Sequence, residues 1–112
     1  MPKTALANSL DQPLPKGVPL VVYTDRLVLI FPGGVHVPVI TEELRAARRA
    51  LEVLRRRATL VAPTPEQVRI RAQQLAAAVL RRDLARRRCL DRAGVRITAA
   101  GVPELIPGRW AA

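Results

Sequence analysis

The sequence predicts an α+β fold: a small N-terminal antiparallel β-meander followed by two α-helices, the second long, with an extended Pro-rich N-terminal arm and an irregular C-terminal tail. Three observations carry this. Short β-rich runs are separated by polar or Gly-rich breaks in VPLVVYT-DR-LVLIF-PGG-VHVPVI. An apolar stripe at spacings of three and four follows, with acids ahead of it and arginines behind. Finally, the start signal Thr64-Pro65-Glu66-Gln67 opens a stretch free of Gly and Pro until Gly94.

Residues 1–17 carry Pro2, Pro13, Pro15 and Gly17 with no sustained periodicity. They read as an extended arm outside the core, ordered by a partner. Residues 18–40 form the meander. Leu27 to Phe31 is apolar on both faces, as a central strand requires, whereas Pro19 and Pro38 cannot donate to a ladder and belong on edges. Val35, Val37 and Val39 share one face, expected to meet the helices.

Residues 41–58 are the first helix. Thr41 is its cap, Glu42 and Glu43 complement the positive dipole end, and Arg55, Arg56 and Arg57 complement the negative end. Leu44, Ala47, Leu51, Leu54 and Ala58 form its apolar stripe, and Arg45, Arg49 and Arg56 fall on the outer face. After a short link at 59–62, residues 65–93 form the long helix, with Thr64 as N-cap, Pro65 at the first position, Gln67 completing a capping box and Gly94 as the stop. Val68, Ala72, Leu75 and Val79 line one side of it, while Leu80 and Leu84 lie about 120° away. Either the helix is covered on two sides within the chain, or Leu80 and Leu84 meet another subunit. Residues 95–98 are a possible fourth strand, and 99–112 form the tail, in which Trp110 is an apolar anchor, folded back on the domain or inserted in a partner.

At 112 residues the chain suits one domain, with 18–98 as its α+β body. Aromatics are 3% of the sequence, so the core must be aliphatic. The single cysteine, Cys89, excludes an internal disulfide and fits a reducing compartment. No signal-peptide h-region or bilayer-length apolar run is present, so a cytoplasmic protein is expected, with a virion component as the alternative.

The formal charge is +10, and seventeen of the nineteen basic residues are arginine. GC-rich codon usage accounts for arginine in place of lysine. It does not account for the excess of positive charge, which points to a polyanionic partner, either nucleic acid or an acidic protein surface. The run LRRDLARRRCLDR concentrates it: Arg81, Arg82, Arg86, Arg88 and Arg92 read as an uncompensated cationic face, while Arg87, four residues from both Asp83 and Asp91, reads as neutralised. Together with Arg45, Arg49 and Arg56 these arginines are the candidate nucleic-acid contacts. Leu80, Leu84 and Trp110 are the candidate partner interface.

No constellation names a reaction, and a non-enzymatic protein without cofactor or metal is expected. His36, the only histidine, belongs on an edge strand facing solvent, and Asp25 belongs to a turn. Cys89 has arginine neighbours that would favour thiolate but no basic partner, and reads as a buried structural residue. The Pro32-Gly33-Gly34 run lacks the spacing of a phosphate-binding loop and suits a hairpin. Few aromatics leave little for base stacking, which favours duplex DNA backbone contact over single-strand recognition, and the long helix offers no aromatic for a membrane surface. The alternative is a structural or adaptor subunit of a larger assembly, such as a bacteriophage particle, whose arms and apolar helix face contact neighbouring subunits.

Overall fold

In the computed structural model, which describes residues 9–57 and 63–110, the β-rich run forms β1 (Leu20–Tyr23), β2 (Leu27–Ile30) and β3 (His36–Pro38). They pair antiparallel in the order β1-β2-β3, with Val21 opposite Leu29 and Leu29 opposite Val37. The central place of β2 explains its composition: Leu29 and the following Phe31 are fully buried, and the rest of the strand is half-buried. Both prolines sit where a missing N–H costs least, Pro19 just before edge strand β1 and Pro38 at the end of edge strand β3. Gly33 and Gly34 turn the chain between β2 and β3 at φ of 94° and 85°, a region closed to most side chains. The Phe31 N–H donates to the Val35 carbonyl at 2.9 Å and closes that turn.

The two helices form where capping and dipole signals place them. Helix α1 spans Glu42–Arg57, with Leu44, Ala47 and Leu51 buried on one stripe. Leu54 is half-buried, and Ala58 and the link at 59–62 lie outside the described residues. Helix α2 spans Pro65–Ala93. Its capping box is closed in both directions: the Gln67 N–H donates to Thr64 Oγ1 at 3.2 Å, and the Thr64 N–H donates to Gln67 Oε1 at 3.0 Å.

The buried side of α2 differs from the expected one. Val68 and Ala72 are exposed, Leu75 and Val79 are half-buried, and the buried positions are Ala78, Ala85, Cys89 and Ala93. Bulky residues dominate a reading of hydrophobic periodicity. A helix can instead be seated on its smallest side chains, because these let its backbone come close to what covers it.

Beyond Gly94 the tail is more ordered than its Pro and Gly content indicates. Strand β4 (Val95–Ile97) pairs antiparallel with β5 (Pro103–Leu105), so residues 99–112 are not irregular throughout. Pro103 masked the second strand in the sequence, although a proline is tolerated at the first position of a strand. Thr98 holds the turn, its carbonyl accepting from the Gly101 N–H at 2.8 Å and its Oγ1 from the Val102 N–H at 3.1 Å. Residues 9–17 have no regular element, yet Leu10 is 1% exposed and its N–H donates to the Ile40 carbonyl at 2.8 Å. That part of the arm belongs to the core. Residues 1–8, where the rest of the arm was expected, lie outside the described residues.

Trp110 is folded back, the first of its two expected placements. Its indole N–H donates to the Ala93 carbonyl at 3.1 Å, and its ring meets Phe31 edge-on at 5.8 Å between centroids. Gly94 makes room for it: at φ 67° it is the helix C-cap residue, and a Cβ there would collide with the indole nitrogen.

The chain divides into two compact units, a sheet-bearing unit comprising Met1–Thr41 with Arg88–Ala112, and a helical unit comprising Glu42–Arg87. The helical unit contains α1 and most of α2, and the last turns of α2 belong to the sheet-bearing unit.

Candidate functional site

The helical unit holds twelve arginines against five acids, a formal +7, while the sheet-bearing unit holds seven basic residues against four acids, a formal +3. Most of the excess charge therefore lies on two helices. What it can do depends on which arginines are already engaged.

On α1, Glu42 takes both Arg45 (3.8 Å) and Arg49 (3.2 Å), and Glu52 takes Arg56 at 3.5 Å. The three arginines expected to face a partner are thus the ones that share acids on their own helix. Arg48 and Arg55, seven residues apart on the flank of that face, and Arg57 in the last turn make no ion pair among the described residues. Orientation explains the choice. Glu52 precedes Arg56 by four residues, the favourable order, whereas Arg48 precedes Glu52 and has the reversed one.

On α2 the five arginines expected on one face are divided between two. At 100° per residue Arg81, Arg88 and Arg92 fall within about 40° of one another, and Arg82 and Arg86 stand about 100–140° from Arg81. Arg82 lies along the buried Ala78–Ala85 side, is half-buried, and pairs with Asp83 at 3.1 Å. Arg92 pairs with Asp11 at 3.4 Å. Arg81 and Arg86 are exposed and make no ion pair among the described residues. Arg87 was expected to be neutralised by Asp83 and Asp91. Instead Asp83 goes to Arg82, and Asp91 is taken by Arg109, which donates to its carboxylate at 3.3 Å and its carbonyl at 2.8 Å. Arg87 is left exposed and unpaired among the described residues.

The engaged cations are not lost to a ligand, since exposed pairs of this kind contribute only about 0–1 kcal/mol and exchange readily. They are nevertheless electrically balanced. The unbalanced positive field of the helical unit comes from Arg48, Arg55, Arg57, Arg71, Arg81, Arg86 and Arg87, of which only Arg81 and Arg86 were among the expected contacts. For Arg48, Arg57 and Arg71 the sequence signal was the lack of an acid at i−4 or i−3, whereas Arg55 and Arg87 have Glu52 and Asp83 there and lose them to Arg56 and Arg82.

Leu80 and Leu84 are 62% and 42% exposed. Trp110 is occupied by Phe31 and Ala93 and offers no free anchor. Cys89 is buried and His36 is exposed on β3. Among the described residues no three His, Cys, Asp or Glu side chains gather to hold a metal ion, and no helix is long and apolar enough to cross a membrane. No family model, curated protein or solved structure matches the chain.

Proposed function

We propose that the helical unit binds the phosphate backbone of duplex nucleic acid, DNA foremost, without sequence readout and without catalysing a reaction. The observation that carries this is the segregation of charge: every described arginine without an ion pair or other contact lies in Glu42–Arg87. Guanidinium groups on helices suit phosphate oxygens, to which they donate in a forked, charge-assisted geometry. Neutralising phosphates releases condensed counterions, so such a surface binds through a salt-dependent, sequence-tolerant term.

The absence of any aromatic residue between Glu42 and Arg87 supports a duplex over a single strand, because stacking platforms need exposed rings beside the cations. It also speaks against an interfacial membrane helix held by aromatic anchors along the border of its basic face.

Fluorescence anisotropy with a labelled duplex across a salt series tests this. The expected result is binding that weakens linearly in log K against log[salt], with equal affinity for unrelated duplex sequences. No binding at low salt, or retention that salt does not alter, rejects it. The adaptor reading draws on a separate observation, the exposed leucines of α2, and predicts a stable complex with an acidic protein that duplex DNA does not displace.

A further inference from the structure

On α2, Ile70, Ala77, Leu80 and Leu84 recur at spacings of seven, three and four, with Gln73 completing a 3-4-3-4 pattern. At 100° per residue they cluster within about 80°, centred about 130° from the side that carries Leu75, Ala78 and Ala85. All are exposed, Ile70 at 43%, Leu80 at 62% and Leu84 at 42%. The helix thus has a second apolar stripe, on the side away from its buried one, spaced as a coiled-coil seam is spaced. We propose that this stripe pairs antiparallel with the same stripe of a second copy of the chain, about a two-fold axis that crosses the seam at the height of Leu75, between Gln74 and Ala76.

The flanking residues select the occupant and its direction. In the antiparallel register Ile70 meets Leu80 of the partner subunit, Gln73 meets Ala77 of the partner subunit, and Leu84 covers the stem of Glu66 of the partner subunit. Each contact occurs twice, as an isologous interface requires. Along one border Arg69 comes opposite Asp83 of the partner subunit, again twice, and Ala76 faces Ala76 of the partner subunit at the axis, where small side chains let the backbones approach. Along the other border Gln74 faces its own counterpart and Gln67 faces Arg81 of the partner subunit. No like charges oppose one another.

A parallel pairing of the same stripe would set Glu66 against Glu66 of the partner subunit and Arg87 against Arg87 of the partner subunit, and align the two helix dipoles. Arg69 and Asp83 are now held by Glu66 and Arg82 in exposed intrahelical pairs, which yield at little cost. The paired length, residues 66–84, is about 28 Å. That is at the small end of stable interfaces, so the association is concentration-dependent.

Self-pairing does not rest on nucleic-acid binding, and it is tested without nucleic acid. Sedimentation equilibrium of the full chain is expected to show a monomer–dimer equilibrium, and a monomer at every concentration up to about 100 μM overturns the proposal. Leu80→Glu, at an exposed position, is expected to keep the helical circular dichroism and to weaken dimerisation at least about tenfold. Native dichroism with undiminished dimerisation overturns it, and Ile70→Gln, a milder change, repeats the test should Leu80→Glu fail to fold. The direction is read separately. Arg69→Asp and Asp83→Arg should each weaken the dimer and together restore it. Ala76→Cys should give a covalent dimer on oxidation, while the wild type, whose Cys89 is buried, gives none. A dimer that Ala76→Cys does not cross-link, or a double charge exchange that fails to restore pairing, overturns the antiparallel arrangement.

Discussion

The two units treat arginine in opposite ways. In the sheet-bearing unit Arg96 on β4 lies directly opposite Glu104 on β5 and pairs with it at 2.6 Å, Arg92 reaches Asp11, and Arg109 returns from the tail to Asp91. These partners are remote in sequence. In the helical unit the pairs that Glu42, Glu52, Glu66 and Asp83 make with Arg45, Arg49, Arg56, Arg69 and Arg82 each lie within one helix, between residues seven or fewer positions apart. A hairpin or a returning tail can bring an acid to any base, whereas along a single helix a base meets only acids within about two turns of it. With five acids for twelve arginines, the helical unit retains an excess that its architecture cannot neutralise. An uncompensated field that survives folding in this way is available to a polyanion.

The largest effect is expected where the sheet-bearing unit keeps its few aromatics. Phe31→Ala removes a fully buried ring and the edge-on partner of Trp110, and should cost about 3–5 kcal/mol. The thermal midpoint should fall by roughly 15 °C, with a red shift of indole emission in any residual native state. A midpoint within a few degrees of wild type would mean that Phe31 does not hold this core.

Next in size is the contrast in charge. Replacing Arg81, Arg86 and Arg87 together by Gln should leave the dichroism intact, since glutamine is a good helix former. If all three contact phosphates, the plot of log K against log[salt] should become shallower by about 2.7. Replacing Arg26, Arg96 and Arg109, each paired with an acid in the sheet-bearing unit, should change the slope little. Equal losses from both triple variants would remove the distinction between the units.

A smaller effect tests the local logic of the helical unit. Thr64→Ala deletes one half of the capping box at the start of α2 and should destabilise by about 1 kcal/mol. Chemical denaturation should register it as a lower midpoint at unchanged slope. A loss several times larger would show that Thr64 has a role beyond capping.

The smallest effect concerns Asp25, in the turn between β1 and β2. The Thr24 hydroxyl, which donates to its carboxylate at 3.1 Å, holds its pKa below the ordinary 3.8, with backbone N–H groups and Arg26 adding to the shift. A carboxyl whose pKa is lower in the folded state contributes stability above its unfolded pKa, and loses that contribution as the pH falls through the folded value. Asp25→Asn should therefore lower stability slightly near neutrality, with a deficit that disappears as the pH falls from above 3.8 through the folded pKa, so that the acid limb is slightly flatter. A deficit that persists undiminished at the lowest pH would contradict this assignment.

Much of the fold was legible because its signals are local. Thr41 and Thr64 mark helix starts, Gly94 marks a stop, and the run from Leu27 to Phe31, apolar on both faces, marks a central strand. Each of these reflects a preference exerted within a few residues, through capping, dipole or backbone freedom. The candidate site was legible only as an excess of arginine on two helices. Arg81 and Arg86 are exposed and unpaired as expected, but Arg45, Arg49, Arg56, Arg82 and Arg92 have acid partners, and Arg87 lost Asp91 to Arg109 from eighteen residues away.

The sequence by itself determined the order, type and approximate limits of the main elements and the sign of the chain's own excess charge. Tertiary structure alone decided which charges remain unbalanced, that Leu10 and Trp110 belong to the core, that the tail forms β4 and β5, and that α2 is buried along Ala78, Ala85, Cys89 and Ala93. The reason is physical. Helix caps and turns are settled by interactions within a few residues, whereas burial and ion pairing are competitions that distant segments enter only once the chain has folded.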